Sequence, residues 1–413
     1  MLSTSPRRLS IGWRCIIGSN RIKEVFPAYT QRISVPFEYP VHFVNECFRD
    51  DNSLLADVFN RLGENKRHRV AVFIDSGLCA KQSQIIPQLR EYFHSHPTQL
   101  ELAGAPELVP GGKSAKSGWG PVRDVMWMMG NLHLDRQSFV LGIGGGSALD
   151  MLGFASAIVH RGVRFVRMPT TTLSQADAGI GVKNGMDEHG MKNFVGTFAP
   201  PWAVINDFSF LSSLDEDDWI AGIAEAWKVA IIKDKAFFDW LSEHASALRE
   251  RDLPSMEQAV YKTATLHLDH IAGGGDPFEF GSARPLDFGH WAGHKLETMS
   301  EYSLNHGQAV SIGIAVDSCC AFRAGLIDET QLNIIIAGLF STGLPTWSQL
   351  LEQTDASDTL SILAGLEEFR EHLGGRLTVT LPDGIGSRVE VHNIEESWIR
   401  WAIDHLRPPE NSQ

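Results

Sequence analysis

A glycine-rich turn between an apolar strand and an apolar helix limits the fold more than any other segment. Residues 138–143 (SFVLGI) are mostly apolar, as in a strand buried on both faces, and residues 148–160 are predicted to form a helix. Between them lie three consecutive glycines and a serine, followed by an aspartate: Gly144, Gly145, Gly146, Ser147 and Asp150. Such a turn lets backbone N–H groups approach a pyrophosphate at the positive end of a helix, but it is also common as a plain tight turn. Since the spacing is not GxGxxG, both interpretations stay open.

Strands alternate with helices around this turn. Strands are predicted at residues 69–75, 100–102, 138–143 and 163–167, and helices at 81–93, 120–132 and 148–160, with a pair of short strands at 33–43. This alternation indicates a parallel sheet with ligands at the carboxyl ends of its strands. From Asp215 to about residue 350 the pattern is helix after helix, beginning with the acidic run DEDD. We therefore predict a tail at 1–24, an α/β domain at 25–212 and a mainly helical domain at 213–413.

Composition excludes several classes of protein. The 36 Lys+Arg against 50 Asp+Glu give a net charge of −14, which disfavours nucleic acid as a partner. No apolar run approaches the length of a membrane-spanning helix, and the five cysteines have no CxxC spacing, so a reducing, cytoplasmic location fits best. The first 23 residues are rich in Arg and Ser, which leaves a transit peptide and an unstructured tail as alternatives.

A second group of polar residues follows the predicted strand at 163–167. It combines hydroxyls, a carboxylate, ammonium groups and an amide: Thr170, Thr171, Asp177, Lys183, Lys192 and Asn193. Together these groups can orient a polyol phosphate, although a solvated loop would have the same composition.

A third group lies in the helical half. Glu225 and Lys228 are three residues apart and share a helix face, as do His290 and His294 at i and i+4, and His306 follows in a loop-like NHG. One carboxylate and two imidazoles would form a three-ligand zinc site with an open position, as in catalytic metal sites. HWAGH lacks the glutamate of HExxH, which disfavours a metallopeptidase, and each histidine alone is more often a core or surface residue.

Several motifs in order resemble the sugar phosphate cyclases, the superfamily of 3-dehydroquinate synthase and the sedoheptulose 7-phosphate cyclases. They are GGGSALD, RGVRFVRMPTTTLSQADAGIGVK, MKNFVGTF, GIAEAWK, DFGHWAGHKLE and NHGQAVSIGIA, between residues 69 and 385. The resemblance implies a Rossmann-like NAD-binding α/β domain, a helical metal domain and a homodimer. It also implies a lyase reaction in which NAD is regenerated: a ring hydroxyl is oxidised, phosphate is eliminated, the ketone is reduced and the ring closes by aldol addition.

The resemblance also assigns roles to residues. The metal ligands, for zinc or cobalt, would be Glu225, His290 and His306. The NAD contacts would be Asp75, Gly144, Gly145, Gly146, Ser147, Asp150, Thr170, Thr171, Lys192 and Phe210. The sugar phosphate would be bound and transformed by Asp177, Lys183, Asn193, Lys228, Asp287, His294 and His372, with Arg161 reaching the phosphate from the neighbouring subunit.

Departures from the family pattern bear on the substrate. Dehydroquinate synthases carry Arg, Asn and Lys around the substrate carboxylate, where this chain has Ala283, Asp287 and His267. The carboxylate of Asp287 would repel a carboxylate substrate, whereas it can accept hydrogen bonds from hydroxyls. This favours a ketose such as sedoheptulose 7-phosphate, and RPLDFGH and the HLGG at His372 resemble 2-epi-5-epi-valiolone synthases. Against this, Arg284 lies one position from the usual arginine, and Lys113 replaces a usual glutamate in a loop that contacts NAD.

Three alternatives remain at the level of the sequence. The nearest is a 3-dehydroquinate synthase, whose pattern His294 matches. The second is a metal-dependent polyol dehydrogenase, which would release reduced NAD and which the phosphate-directed residues disfavour. The third is a non-enzymatic descendant, which the retention of all three expected metal ligands disfavours.

Overall fold

The computed structural model describes residues 29–189, 191–275, 284–372 and 375–409. Contacts divide the chain into two units, residues 1–37 and 38–413. In the first unit the described residues 29–37 contain neither helix nor strand, and the first strand begins at Val41, so the strand predicted from residue 33 is wrong as far as residue 40. The predicted tail at 1–24, Ala283 and the side chain of His372 lie outside the described residues.

The second unit contains all the strands and helices that the structure describes. Its strands are β1 Val41–Val44, β2 His68–Asp75, β3 Leu100–Leu102, β4 Glu107–Val109, β5 Phe139–Gly144, β6 Arg164–Pro169, β7 Lys183–Glu188, β8 Met191–Phe198, β9 Ala203–Asp207, β10 Val379–Pro382 and β11 Arg388–Val391. Its helices are α1 Leu54–Phe59, α2 Ser76–Lys81, α3 Ile85–Ser95, α4 Gly112–Ala115, α5 Trp119–Asn131, α6 Gly146–Ile158, α7 Glu216–Lys233, α8 Lys235–Arg249, α9 Leu253–Ala272, α10 His290–Met299, α11 His306–Arg323, α12 Glu329–Ser341, α13 Ala364–His372 and α14 Glu396–Leu406.

Seven parallel strands form one sheet in the order β1-β9-β6-β5-β2, with β3 paired to the start of β2 and β4 to its end. Every residue of β5 is buried, which explains its apolar sequence. The predicted parallel α/β architecture is therefore confirmed. Because all the strands are parallel, the ends of β2, β5 and β6 meet at one edge, where α6 begins. Strands β7 and β8 form a separate antiparallel hairpin after β6.

The chain beyond β9 is mainly helical, as predicted, with the small β10–β11 hairpin added. Helix α7 starts at its cap Asp215, which accepts a hydrogen bond from the Asp218 N–H (3.0 Å), and is buried from Trp219 to Ile232. Helix α11 starts directly after Asn305, which forms a capping box with Gln308. None of the helices in the described ranges combines the length and apolarity needed to cross a membrane.

Glycines bring α10 and α11 close together. A Cβ atom at Gly313 would lie 1.9 Å from the carbonyl oxygen of Gly289, so only glycine fits there. Gly289 itself precedes α10 with φ of 78°, a left-handed conformation that favours glycine. This contact fixes the start of α10, and therefore His290, against α11.

Candidate active site

Three side chains predicted to bind a metal converge between α7, α10 and α11. Oε1 of Glu225 lies 3.7 Å from Nε2 of His290 and 3.6 Å from Nε2 of His306. Glu225 is fully buried, and this oxygen has no hydrogen-bond partner among the described residues. His306, expected in a loop, is instead the first residue of α11. The structure thus brings together residues from three helices that span 81 positions of sequence, 306 minus 225.

The three side chains fit a divalent ion. Ligand atoms of a tetrahedral zinc site, at about 2.0–2.1 Å from the ion, lie about 3.4 Å apart. This is close to the 3.7 and 3.6 Å that separate the Glu225 oxygen from the two imidazole nitrogens. Nδ1 of His290 is hydrogen-bonded to the carbonyl of Phe288 (3.0 Å), which assigns the proton to Nδ1 and leaves Nε2 for a metal. One carboxylate and two imidazoles leave a fourth position open for a substrate oxygen.

Charges around this cluster favour the ligand forms of Glu225 and His290 but the protonated form of His306. Burial, reinforced by the charge of Lys228, lowers the pKa of His290 to about 4 and keeps its imidazole neutral. Burial would raise the pKa of Glu225, but the neighbouring Lys228 holds that pKa well below its ordinary value. Burial also opposes the charge on His306, yet the carboxylates of Glu225 and Glu297 raise its pKa to about 9. His306 must therefore lose a proton when it binds a metal at neutral pH.

Two predicted residues, Lys228 and Asp177, adjoin the cluster together with His267, which was expected only as a departure from the family pattern. The Lys228 ammonium forms a close ion pair with Oε2 of Glu225, and both side chains are buried. The buried Nε2 of His267 lies 3.7 Å from Asp177 and 3.8 Å from Glu225 and has no hydrogen-bond partner among the described residues. Burial acts to lower the pKa of both Lys228 and His290, and Asp287, in the one-turn helix Pro285–Asp287, is among the charges that act to raise it. These side chains can bind hydroxyls and move protons beside a metal.

The residues expected to contact NAD meet at the edge of the sheet. A Cβ on Gly144 would lie 2.9 Å from the Cβ of Asp75, and one on Gly145 would lie 3.5 Å from Cγ2 of Thr171. The Thr170 N–H donates to the Gly144 carbonyl (3.1 Å). Gly145, Gly146 and Ser147 are half-buried at the start of α6. The turn therefore presents its N–H groups at a helix N-terminus, flanked by the ends of β2 and β6.

Two lysines tie the β7–β8 hairpin to neighbouring elements. Lys116 donates to Asp150 (2.6 Å) and to Asn193 (2.5 Å), and Lys192 pairs with Glu297 (2.9 Å). Lys116 and Glu297 were missed by the sequence analysis. Glu297 lies one helical turn after His294, a spacing that could have signalled it.

The other predicted residues occupy different settings. Lys183 is exposed at the start of β7, and His294 is exposed on α10 with its ring 5.3 Å from that of His290. Phe210 packs its ring into the core beneath the sheet, so only its backbone is available to a cofactor. Arg161 is exposed at the opposite end of α6 from the glycine turn, and Lys113 lies over the ring of Tyr302 (4.3 Å).

A glycine turn at the edge of a parallel sheet, together with a carboxylate–imidazole cluster in helices, is typical of enzymes that combine a dinucleotide with a metal. Two family models match consecutive segments: the 3-dehydroquinate synthase N-terminal model covers residues 107–221 and the C-terminal model covers 222–366. The chain belongs to the 3-dehydroquinate synthase family. The predicted resemblance, and the enzyme class of sugar phosphate cyclases that eliminate phosphate, are thereby confirmed.

The similar relatives include enzymes named for each of the two candidate activities. A 2-epi-valiolone synthase from Actinosynnema mirum is 32% identical over 376 residues, covering 90% of this chain and 92% of the relative. A 3-dehydroquinate synthase from Rhodospirillum rubrum is 34% identical over 355 residues, covering 84% and 87%. Sequence similarity alone therefore does not choose between the two activities.

Solved structures agree with the fold. The 2-epi-5-epi-valiolone synthase of Streptomyces hygroscopicus, with NAD+ and Zn2+ bound, has a TM-score of 0.80 at 27% identity and covers 92% of this chain and 99% of that one. A 2-deoxy-scyllo-inosose synthase complexed with carbaglucose-6-phosphate, NAD+ and Co2+ has a TM-score of 0.72 at 20% identity, with 88% and 96% covered, which supports the fold alone. The predicted cofactors, NAD with zinc or cobalt, are those that these two structures hold.

Proposed function

We propose that this protein is an NAD- and metal-dependent cyclase that converts sedoheptulose 7-phosphate to a cyclitol, 2-epi-5-epi-valiolone or a stereoisomer, and releases phosphate. The observation that carries the choice of substrate is the carboxylate of Asp287. It lies three residues before His290, and its charge acts on Lys228 and His290 within the cluster. A substrate carboxylate placed there would meet a like charge, whereas the hydroxymethyl group of a ketose can donate a hydrogen bond to it.

Residues of this chain would hold both cofactors. Glu225, His290 and His306 would bind a zinc or cobalt ion, and the turn at Gly144–Gly146 would receive the pyrophosphate of NAD. When bound, NAD would accept a hydride and later return it, and the metal would polarise the substrate oxygens. The reaction therefore consumes no net oxidant, and the product equals the substrate less phosphoric acid.

The remaining groups would position the sugar and move protons. Lys228, paired with Glu225, and Asp177, beside His267, can hold hydroxyls and exchange protons with the reacting carbons. Asn193 and the exposed Lys183 would bind the phosphate. We further propose a homodimer in which Arg161 reaches the phosphate of the adjacent subunit. Light scattering would report the dimer, and Arg161→Ala should raise KM in that case.

The alternative is a 3-dehydroquinate synthase, favoured by relatives such as the Rhodospirillum enzyme. In that case the half-buried Arg284, at the start of the turn that carries Asp287, would meet the substrate carboxylate. The further alternative is a polyol dehydrogenase, because this chain shares its fold, though only its fold, with a probable glycerol dehydrogenase (TM-score 0.57, 17% identity). A polyol dehydrogenase, unlike a cyclase, would form NADH as a net product.

The test is phosphate release by the protein with NAD and Zn2+ or Co2+, with sedoheptulose 7-phosphate and 3-deoxy-arabino-heptulosonate 7-phosphate in separate reactions and products identified by NMR. We expect release from the first substrate only. Asp287→Asn should lower kcat/KM for the ketose, while the control Asp269→Asn, exposed on α9, should not. Release from the heptulosonate alone would establish the alternative, and NADH accumulation would indicate a dehydrogenase.

A further inference from the structure

A buried carboxylate lies behind the metal cluster. Asp317 of α11 is fully buried, and each of its oxygens accepts one hydrogen bond. Oδ1 accepts from Nε1 of Trp291 (2.7 Å), and Oδ2 accepts from the backbone N–H of Gly289 (2.9 Å). Both donors are neutral, and they belong to the residues on either side of His290. Burial raises the pKa of Asp317 to about 7, although the two hydrogen bonds lower it, so the side chain is a carboxylate above about pH 7 and only these two donors offset the cost of burying its charge.

The Gly289 N–H is half of a peptide group whose other half reaches His290. The carbonyl of that same peptide belongs to Phe288, and it accepts a hydrogen bond from Nδ1 of His290 (3.0 Å). Nε2 of His290 then faces Oε1 of Glu225. A continuous hydrogen-bonded chain therefore connects the Asp317 carboxylate, through the Phe288–Gly289 peptide group, to the imidazole of His290. Nε2 of this imidazole is the atom expected to bind the metal.

This hydrogen-bonded chain has a defined chemical effect. A carboxylate that accepts from a peptide N–H polarises the peptide, which makes its carbonyl oxygen a stronger acceptor. A stronger acceptor at Phe288 holds the proton on Nδ1 and increases electron density at Nε2. Ligating histidines commonly donate their second N–H to a carboxylate or a carbonyl. Here His290 donates to the Phe288 carbonyl, and the same peptide group donates to the Asp317 carboxylate.

Local packing keeps the groups of this hydrogen-bonded chain in place. The left-handed φ of Gly289 turns its N–H toward α11, and the lack of a side chain at Gly313 lets the two helices approach. The bond to Trp291 fixes the second oxygen of Asp317, so the carboxylate cannot rotate away. An asparagine would accept from one of the two donors and present its NH2 group to the other.

We propose that Asp317 is a positioning residue of the metal centre, acting on His290 through the Phe288–Gly289 peptide. The inference deepens the proposed function and rests on its assignment of His290 as a metal ligand.

The experiment measures metal binding by metal-free protein, with Co2+ followed by its visible absorption and Zn2+ by competition with a chelator. Asp317→Asn should weaken both affinities about 10–100-fold and shift the Co2+ absorption bands. The matched control Ser318→Ala, which removes a buried hydroxyl bonded to its own helix at the Ile314 carbonyl (2.7 Å), should change neither. Circular dichroism of each variant verifies the fold.

A double variant separates the relay from simple destabilisation. In Asp317→Asn with Trp291→Phe the indole donor is gone, so the amide oxygen is free to accept from Gly289, and part of the lost affinity should return. Asp317→Asn with unchanged affinity and spectrum would overturn the inference, and so would a double variant that binds metal no better than the single one. If Asp317→Asn does not fold, the double variant alone decides. Metal affinity weaker than that of the native protein would then support the inference, and native affinity would overturn it.

A third variant keeps the two hypotheses distinct. His290→Ala should abolish Co2+ binding. Full binding by His290→Ala would refute the ligand set of the proposed function. Loss of binding in His290→Ala combined with native behaviour of Asp317→Asn would refute only the role of Asp317.

Discussion

The ammonium group of Lys192 lies 2.9 and 3.0 Å from the two carboxylate oxygens of Glu297, and Oε2 of Glu297 lies 3.4 Å from Nδ1 of His306. A residue expected to contact NAD is thus joined to a carboxylate that lies beside His306, an expected metal ligand. Burial would raise the pKa of Glu297, but His306 and Lys192 hold that pKa below its usual range. The carboxylate is therefore charged and able to orient the imidazole.

Removing the charge of Glu297 should lower the affinity of the protein for the metal ion. Glu297→Gln is expected to lower Zn2+ affinity about 10–100-fold, because the amide orients His306 less strongly. Lys192→Met should have a smaller effect, since the carboxylate remains. The measurement is chelator competition, and the control is Glu368→Gln, which breaks the exposed pair of Glu368 with Lys295 of α10 (2.6 Å). Equal affinities of the Glu297 and Glu368 variants would contradict this role.

Lys228 should be needed for turnover but not for metal binding. Lys228→Met removes the buried ammonium beside Glu225 and leaves all three ligand side chains. We expect phosphate release to fall at least about 100-fold while the protein keeps its zinc, because proton transfer is lost. Metal content by atomic absorption and phosphate release together check this. His290→Ala serves as the comparison, since it should lose both, and native turnover by Lys228→Met would remove Lys228 from the mechanism.

The glycine turn offers a test of NAD binding that spares the fold. A Cβ at Gly145 would meet Cγ2 of Thr171 at 3.5 Å, an ordinary contact, and the φ of −70° suits alanine. Gly145→Ala should leave Tm nearly unchanged but lower NAD affinity about tenfold or more, because the methyl group stands where a pyrophosphate would approach the N–H groups. Gly120→Ala, with open space around its Cβ, is the control for calorimetric titration. Native NAD affinity in Gly145→Ala would place the cofactor elsewhere.

Local patterns predicted the sheet and its turn well. The strand predicted at 138–143 is β5, Phe139–Gly144, and the helix predicted at 148–160 is α6, Gly146–Ile158. Apolar runs bounded by glycine determine such boundaries, because burial and backbone freedom change at the same residues. The three side chains that the family resemblance implied as metal ligands also lie together in the structure.

Contacts between distant segments could not be predicted in this way. Lys116 meets Asp150 and Asn193, 34 and 77 positions away, and Lys192 meets Glu297 at a separation of 105. Charge partners are chosen by tertiary packing, on which sequence spacing carries no information. The predicted strand before residue 40 failed for a related reason. β-propensity reflects packing against neighbouring strands, and the described residues 29–37 form no strand.

The stability of the helical part should depend on pH through Asp234, which lies between α7 and α8. Its carboxylate caps α8 by accepting from the Phe237 N–H (3.0 Å) and pairs with Lys262 of α9 (2.9 Å). Burial would raise the pKa of Asp234, but the bonds to Lys262 and Phe237 lower it below the ordinary value. A lowered folded-state pKa means that the stabilisation is present above the unfolded-state pKa and is lost as pH falls through the folded-state pKa.

Two variants separate the charge of Asp234 from its cap. Asp234→Asn keeps a capping oxygen but loses the ion pair, so it should be less stable than the native protein at pH 7 and equal to it once the pH has fallen below the lowered folded-state pKa of Asp234. Asp234→Ala should lose about 1 kcal/mol more at every pH, because the cap itself is gone. Urea unfolding from pH 2.5 to 7 measures both, with Asp239→Asn, in an exposed pair with Lys235, as the control. A deficit of Asp234→Asn that stays constant across this range would show that the carboxylate acts through capping geometry and not through its charge.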